Sequence, residues 1–319
     1  MNERERIALL ARVLAARAPG VALGIGDDAA VLDAPAASLV WTIDEQVEGV
    51  HFRRELLSWR DIGWRSFMAA ASDLAAMGAS PWCALCALVL PDDLDDLALE
   101  AIATGQRDAG ASLGAPVVGG NLSRGPALSL ATSLLGRCNH PVLRRGALAG
   151  DGLWLAGRVG LAAAGLRALE QGSASDPRVV PAVEAWRLPR ALVAEGLAMG
   201  PLAHAAIDVS DGLARDVGHM AEASGVQAVL FEAALLEDAE LVAAATHLGA
   251  SALDLALHGG EDYALAVSSS EPIPGFRQVG AIRPGTGLVL RTAAGEQPLE
   301  PRGFDHFTSP SRRPGASRP

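Results

Sequence analysis

The acids of this 319-residue chain recur in one setting, at the end of an apolar run or beside glycines. They appear at Asp27-Asp28 in G-I-G-D-D-A-A-V-L, at Asp44 after S-L-V-W-T-I, and at Asp73 within A-A-A-S-D-L-A-A-M. They return at Asp208 and Asp211 in D-V-S-D-G and at Glu261-Asp262 in H-G-G-E-D-Y. Mg²⁺ takes oxygen ligands, keeps several waters and is usually held by a few carboxylates together with substrate phosphates. Carboxylates converging from separate loops therefore suit metal-assisted phosphate chemistry. Each acid also has a plainer reading: a turn at Asp27-Asp28, a strand end at Asp44, an N-cap at Ser210 or Asp211. Asp73 is the hardest to explain that way, because an unpaired carboxylate on an apolar helix is costly.

Other residues offer partial signals. Gly119-Gly120-Asn121 follows a short strand, and paired glycines can present backbone N–H groups to a phosphate. Arg144 and Arg145 are either phosphate contacts or a surface pair. His51, in V-E-G-V-H-F, has no second histidine at a zinc spacing. Cys83 and Cys86 form C-x-x-C inside an apolar run, where residues three apart on a strand face opposite ways. They read as core rather than as a metal or redox pair.

The elements that must hold these groups follow from periodicity. An amphipathic helix is expected over 3–17, a strand over 38–43 and an alanine-rich helix over 59–78 closed by Gly78. A strand over 82–90, a helix from Pro91-Asp92 to Leu113, a short strand over 116–118 and a strand over 127–137 complete a mixed first half. Proline and glycine break the pattern near 138–150. Beyond it come a strand over 152–156, helices over 160–171 and 182–198, and a strand over 203–207 leading through D-V-S-D-G into a helix. Strand 226–231, helix 237–248 and strands over 263–268, 277–282 and 287–292 follow. The expected domains are 1–138 (α+β) and 139–307 (α/β), with a disordered tail over 308–319.

Composition narrows the chemistry. The formal net charge is −11, which argues against a nucleic-acid partner. All 26 basic residues are arginine. A P-loop lysine, a protein-kinase strand lysine and a Schiff-base lysine are thereby excluded. Any phosphate must be met by metal, backbone N–H groups or arginine. Three cysteines make no disulfide framework. The first residues lack a signal-peptide pattern, and no apolar run is long enough to span a bilayer. A cytoplasmic protein with no membrane contact is expected.

Taken together, G-I-G-D-D-A-A-V-L, D-E-Q-V-E-G-V-H-F, S-D-L-A-A-M-G-A, G-G-N-L-S-R-G, A-I-D-V-S-D-G-L, H-G-G-E-D-Y and G-F-D-H-F resemble, in that order, the motifs of the thiamine-monophosphate kinases. The resemblance runs from about residue 20 to residue 307. It implies a two-domain fold like that of aminoimidazole ribonucleotide synthetase. The N-terminal α+β domain would pair its sheet across a homodimer, and an α/β domain would follow. It implies ATP and thiamine phosphate as substrates, with several Mg²⁺ ions. By the same resemblance the catalytic metal acids fall on Asp28, Asp44, Asp73, Asp208 and Asp211, with Thr42 as a further metal contact. Nucleotide contacts fall on Gly120, Asn121, Arg144 and Ser210, and substrate contacts on His51, Glu261 and Phe304.

The chain departs from that pattern in places. Asn121 stands where many members carry a metal-binding aspartate and, by the resemblance, is a metal position whose amide oxygen can still ligate Mg²⁺ without the charge; Ile43 replaces a frequent threonine, and Arg145 a common serine. The selenophosphate synthetases, which use an N-terminal lysine and a reactive cysteine, are a poor match, since the first cysteine here is Cys83. Two rival readings stand beside the kinase. One is an enzyme of the same superfamily acting on another small acceptor; the other is a catalytically silent Mg-nucleotide-binding protein, which Asn121 alone favours.

Overall fold

The computed structural model describes residues 3–14, 19–23, 31–33 and 36–304. Asp27, Asp28, the last three residues of G-F-D-H-F and the tail 308–319 lie outside the described residues. The first half contains α1 (Glu3–Val13), β1 (Val21–Leu23), β2 (Val31–Leu32), β3 (Ser38–Val47), α2 (Trp59–Ala76), β4 (Ser80–Leu90), α3 (Asp96–Leu113), β5 (Val117–Arg124) and β6 (Ser129–Cys138).

Strands β3, β6, β4 and β5 form one sheet in that order. Its pairs are antiparallel except β4–β5, which are parallel and joined through α3, as a parallel pair requires a crossover. Alternation along β3 turns Val40 and Gln46 into the protein and leaves Thr42 and Asp44 half-buried on the same face. The opposite face is apolar and open: Leu39 is 50% exposed, Trp41 73%, Ile43 68%, and Leu85 of β4 42%.

The second half contains β7 (Gly152–Ala156), α4 (Leu161–Glu170), α5 (Val180–Arg187), α6 (Val193–Met199), β8 (Ala205–Val209), α7 (Leu213–Ser224), β9 (Gln227–Phe231) and α8 (Glu232–Leu235). It continues with α9 (Ala239–His247), α10 (Ala252–His258), β10 (Ala264–Ser269), β11 (Arg277–Arg283), β12 (Gly287–Thr292) and β13 (Gly295–Leu299). Seven strands form a sheet in the order β13-β12-β9-β11-β7-β10-β8, with β12–β9 its one parallel pair among the described residues. One face carries the larger core, with Leu213, Val217 and Met220 of α7 and Leu241 of α9. The other face, at β8 and β10, packs Ala206, Leu265 and Val267 against Ala75 and Ala76 of α2 and Met199 of α6.

Helix α2 is thus shared by the two halves. It starts in a capping box, in which the Ser58 side chain takes Asp61 N–H and the Asp61 side chain takes Ser58 N–H. Its small residues let other backbones come close. A Cβ on Gly63 would lie 2.0 Å from the Ile102 carbonyl of α3, and one on Gly196 of α6 would lie 2.2 Å from the Ala75 carbonyl of α2.

The pattern-based elements need three corrections. The single helix expected over 182–198 is two, α5 and α6. Pro189 has no N–H to continue it and keeps Leu188 out of the helical region (φ −128°, ψ 62°). The short strand at 116–118 runs on to Arg124, so G-G-N is strand and not loop. The 91–113 helix begins only at Asp96, where the Asp95 carboxylate accepts the Ala98 N–H. Cys83 and Cys86 face opposite sides of β4 in separate apolar clusters, and all three cysteines are free thiols.

Candidate active site

The inner face of β3, the C-terminal turns of α2 and the end of β8 meet at a cleft of about 350 Å³. Thr42, Asp73, Arg144 and Asp208 line it, with an apolar wall that includes Val40, Met77, Val142 and Ile207. Thr42 Oγ1 donates to Asp73 Oδ2 at 2.5 Å, and Ser72 Oγ donates to Asp208 Oδ2 at 2.8 Å. Ser72 and Asp73 are adjacent on α2, so the helix supplies one carboxylate and reaches, through Ser72, that of Asp208 in the second half.

The electrostatics of this pair are unbalanced. Burial pushes Asp208 up to about 7, and the neighbouring Asp73 charge adds to the rise against the Ser72 hydrogen bond. Burial also raises Asp73, opposed by the Thr42 hydroxyl and the more distant Arg144. Two facing carboxylates with hydroxyl donors and one exposed arginine nearby carry a surplus of negative charge. Hard oxygen donors with that surplus fit a divalent cation such as Mg²⁺. Among the described residues no three His, Cys, Asp or Glu side chains are gathered as a ready-made cage. That suits Mg²⁺, which is commonly held by one or two carboxylates and completed by phosphates and water.

A second set lies at the loops beyond β8 and before β10. Asp216, in the first turn of α7, is buried, and its Oδ2 accepts the N–H groups of Ser210, Asp211 and Gly212 at 3.0–3.1 Å. One carboxylate oxygen therefore shapes the whole D-V-S-D-G loop. Burial and the nearby Asp211 push Asp216 up to about 7 against those three bonds. Asp211 also lies 3.6 Å from Arg215 Nε, and its carbonyl accepts the Phe304 N–H.

The H-G-G-E-D-Y loop is stitched to the same place. Glu261 N–H donates to the Ser210 carbonyl and Tyr263 N–H to the Val209 carbonyl. Glu261 and Tyr263 both sit in the left-handed region, at φ 64° and 50°, where side-chain-bearing residues are strained by on the order of 1–3 kcal/mol. Between them Asp262 accepts the Gly160 and Ala162 N–H groups at the start of α4, and burial pushes its carboxylate up to about 7. Each Glu261 oxygen accepts one hydrogen bond. Arg65 Nη2 donates to Oε1 at 2.5 Å and Trp186 Nε1 to Oε2 at 2.7 Å. Arg65 is 2% exposed, stacks 4.8 Å from the Trp186 ring and also donates to the Trp186 carbonyl.

Asp44 lies beside this region. Tyr263, buried under the loop, is raised mainly by burial, with Glu261, Asp44 and Asp208 adding to the effect. Gln46 Nε2 donates to Asp44 Oδ1 at 3.4 Å. His51 Nδ1 accepts the Val47 N–H at 2.9 Å, so a neutral His51 carries its proton on Nε2. Its ring is 6.5 Å from that of Phe304, itself 44% exposed.

The structure thus brings Thr42, Asp73, Arg144 and Asp208 to one cleft, and links Ser210, Asp211, Glu261, His51 and Phe304 beside it. Gly120 and Asn121 do not join them within one chain. They are exposed on β5, at the opposite edge of the sheet from β3, three strand spacings or roughly 14 Å away. Gly120 has a packing reason of its own, since a Cβ there would sit 1.9 Å from the Cys86 carbonyl. Asp28 lies outside the described residues. Arg65, Trp186 and Asp216 were not singled out from sequence. The available signals were a lone arginine in an alanine-rich helix and an acid in the first turn after S-D-G.

Comparison with known proteins gives a consistent result. Residues 26–138 match the family model of the AIR synthase related protein N-terminal domain, and residues 149–280 that of its C-terminal domain. Thiamine-monophosphate kinase of Aquifex aeolicus is 31% identical, over 89% of this chain and 92% of that protein. The Mycobacterium tuberculosis kinase is 34% identical, over 92% and 88%. Among solved structures, AaThiL complexed with AMPPCP and TMP matches with a TM-score of 0.81 at 29% identity, over 96% of this chain and 99% of the other. The Stenotrophomonas maltophilia thiamine-monophosphate kinase matches at 0.77 and 31% identity, over 90% and 94%. Hydrogenase maturation protein HypE in complex with ATP, at 18% identity and 0.76, shares the fold.

Proposed function

The chain belongs to the thiamine-monophosphate kinase family, with the two AIR synthase related domains, and from that membership we propose that it transfers the γ-phosphate of ATP to thiamine phosphate, giving thiamine diphosphate. The observation that carries this reading is the facing pair Asp73–Asp208, which joins the two halves with an excess of negative charge.

Thr42, Asp44, Asp73, Asp208 and Asp211, with Asp28, are the residues that would hold Mg²⁺. When bound, Mg²⁺ supplies the charge neutralisation that lets two phosphate-bearing anions approach. Arg144, at the mouth of the cleft, is the chain's own cation for the triphosphate. Ser210 would offer its hydroxyl to the nucleotide phosphates, from a loop whose backbone N–H groups are tied to Asp216. At the other end His51 donates from Nε2, and Phe304 offers an exposed aromatic face to the cationic thiazolium. Glu261, an oriented carboxylate, keeps acceptor capacity on each oxygen beyond its bonds to Arg65 and Trp186. The attacking phosphate oxygen is already anionic, so attack in line at the γ-phosphorus needs no strong base. This fits a site built from carboxylates.

The open apolar face of the four-stranded sheet supports a homodimer, since patches of this kind mark association surfaces. Pairing of the two sheets through their open edges would set β5, with Gly120 and Asn121, beside β3 of a second copy and its Thr42 and Asp44. Trp41→Glu should then produce monomers in sedimentation and lose most activity; an active monomer would sink the shared arrangement. A cytoplasmic location goes with this reading. Among the described residues no single helix is long and apolar enough to cross a membrane.

The direct test is incubation with ATP, Mg²⁺ and thiamine phosphate, followed by chromatography for thiamine diphosphate. ADP release dependent on another phosphorylated acceptor would instead favour a different kinase of the superfamily. ATP binding with no turnover would favour the silent nucleotide binder.

A further inference from the structure

Gln46 stands two residues beyond Asp44 on the same inward face of β3. It is 4% exposed, and its neighbour across the ladder is Leu130 of β6. Its amide nitrogen donates to Asp44 Oδ1 at 3.4 Å, a long bond. Its Oε1 is buried and, among the described residues, accepts nothing. Turning the amide over gives no relief, because that would set the oxygen against the Asp44 carboxylate. The next residue along the strand, Val47, gives its N–H to His51 Nδ1. Gln46 therefore touches the Asp44 carboxylate and adjoins the strand residue that meets the histidine assigned to the substrate, with an acceptor that no described group satisfies.

A buried orphan acceptor lowers stability, and an apolar residue of similar size would fit the surroundings of Leu130. Its chemistry instead complements a hydrated cation. Mg²⁺ keeps several bound waters, each a strong hydrogen-bond donor. Carboxylate ligands are also commonly oriented by a hydrogen-bonding neighbour. We propose that Gln46 is a positioning residue for Asp44: its amide N–H orients the carboxylate, and its Oε1 accepts a hydrogen bond from a water carried by the cation that Asp44 holds. This rests on the reading of Asp44 as a cation ligand.

The test measures Mn²⁺ binding directly, by the loss of the free-ion electron paramagnetic resonance signal, in the full-length protein with and without a non-hydrolysable ATP analogue. Gln46→Leu keeps the volume and removes both polar ends. It should weaken Mn²⁺ binding about 10-fold and raise the metal-free Tm by about 2 °C. A gain in stability with a loss of binding is a combination that a packing role does not give. Native-like Mn²⁺ affinity in Gln46→Leu would overturn the proposal, and so would a lowered Tm. Should Gln46→Leu fail to fold, the amide is supporting the strand and the proposal falls; Gln46→Met repeats the measurement to confirm that outcome. Asp44→Asn separates the two layers. If it binds Mn²⁺ normally, the underlying reading of Asp44 fails. If it binds weakly while Gln46→Leu binds normally, only the role of Gln46 fails.

Discussion

Two clusters of acid sit against α2, and they are built on opposite principles. At its C-terminal end Asp73 faces Asp208, with hydroxyls as direct donors and with carboxylate protonation favoured by burial. Two turns earlier Arg65 meets Glu261, which also takes the Trp186 indole N–H, so the carboxylate charge is met by an arginine inside the protein and both its oxygens accept a hydrogen bond. The first cluster sets like charges together and would be balanced by a cation, and the second already holds its own arginine. Glu261 therefore belongs to the framework, whatever it also gives a substrate, whereas under the proposed function Asp73 and Asp208 would belong to the reaction.

The sharpest way to break this contrast is substitution on each side. Asp208→Asn should lower kcat by about 10³-fold, the scale of removing one preorganised charge contact at a phosphoryl centre. Tm should hold or rise, since the change relieves like-charge repulsion. A coupled ADP assay and thermal unfolding read both; unchanged turnover would remove Asp208 from the reaction. Arg65→Leu should do the reverse. It strands a partly buried carboxylate and the Trp186 carbonyl, at a cost of about 3 kcal/mol of stability, visible in urea unfolding. If that variant unfolds like the native chain, the Glu261 cluster is not framework.

The next effect is in pH. Asp208, Asp216 and Asp262 have folded values near 7, above about 3.9 for a free aspartate. Each binds its proton more tightly in the folded state. The stability they contribute is present at low pH and is lost as pH rises through the folded value. Metal-free Tm should therefore fall between about pH 5 and pH 7.5. Saturating Mg²⁺ with an ATP analogue should flatten the Asp208 share of that slope most and leave the Asp262 share. The smallest expected effect is at Asn121. Asn121→Asp should lower the Mg²⁺ concentration for half-maximal activity by roughly threefold, consistent with one added exposed carboxylate near a divalent ion.

The acids themselves were legible in the sequence because a carboxylate at a strand end or on an apolar helix is out of place unless it has a task. Asp73 was the clearest case. The mutual arrangement was less legible, because α2 is read as one amphipathic stripe while it actually packs on both halves. Arg65 looked like an ordinary helix arginine, since nothing local says that Glu261, 196 positions later, will come to it. Glycine pairs usually punctuate, so the sequence ends the strand before G-G-N, whereas the lack of a side chain lets β5 lie close against β4. The 182–198 helix kept its apolar period across Pro189, so period alone could not show the break.

The double use of α2 also orders events in time. On a ribosome the first half emerges long before residues 186–261, so Arg65, Ser72 and Asp73 must wait in water for partners not yet synthesised. Domains generally fold as units during synthesis, and here the first unit can form its sheet and the α2–α3 contact while its catalytic flank stays unfinished. Refolding should then regain helical circular dichroism before it regains turnover, and a chain stopped before Trp186 should hold a sheet without an active centre.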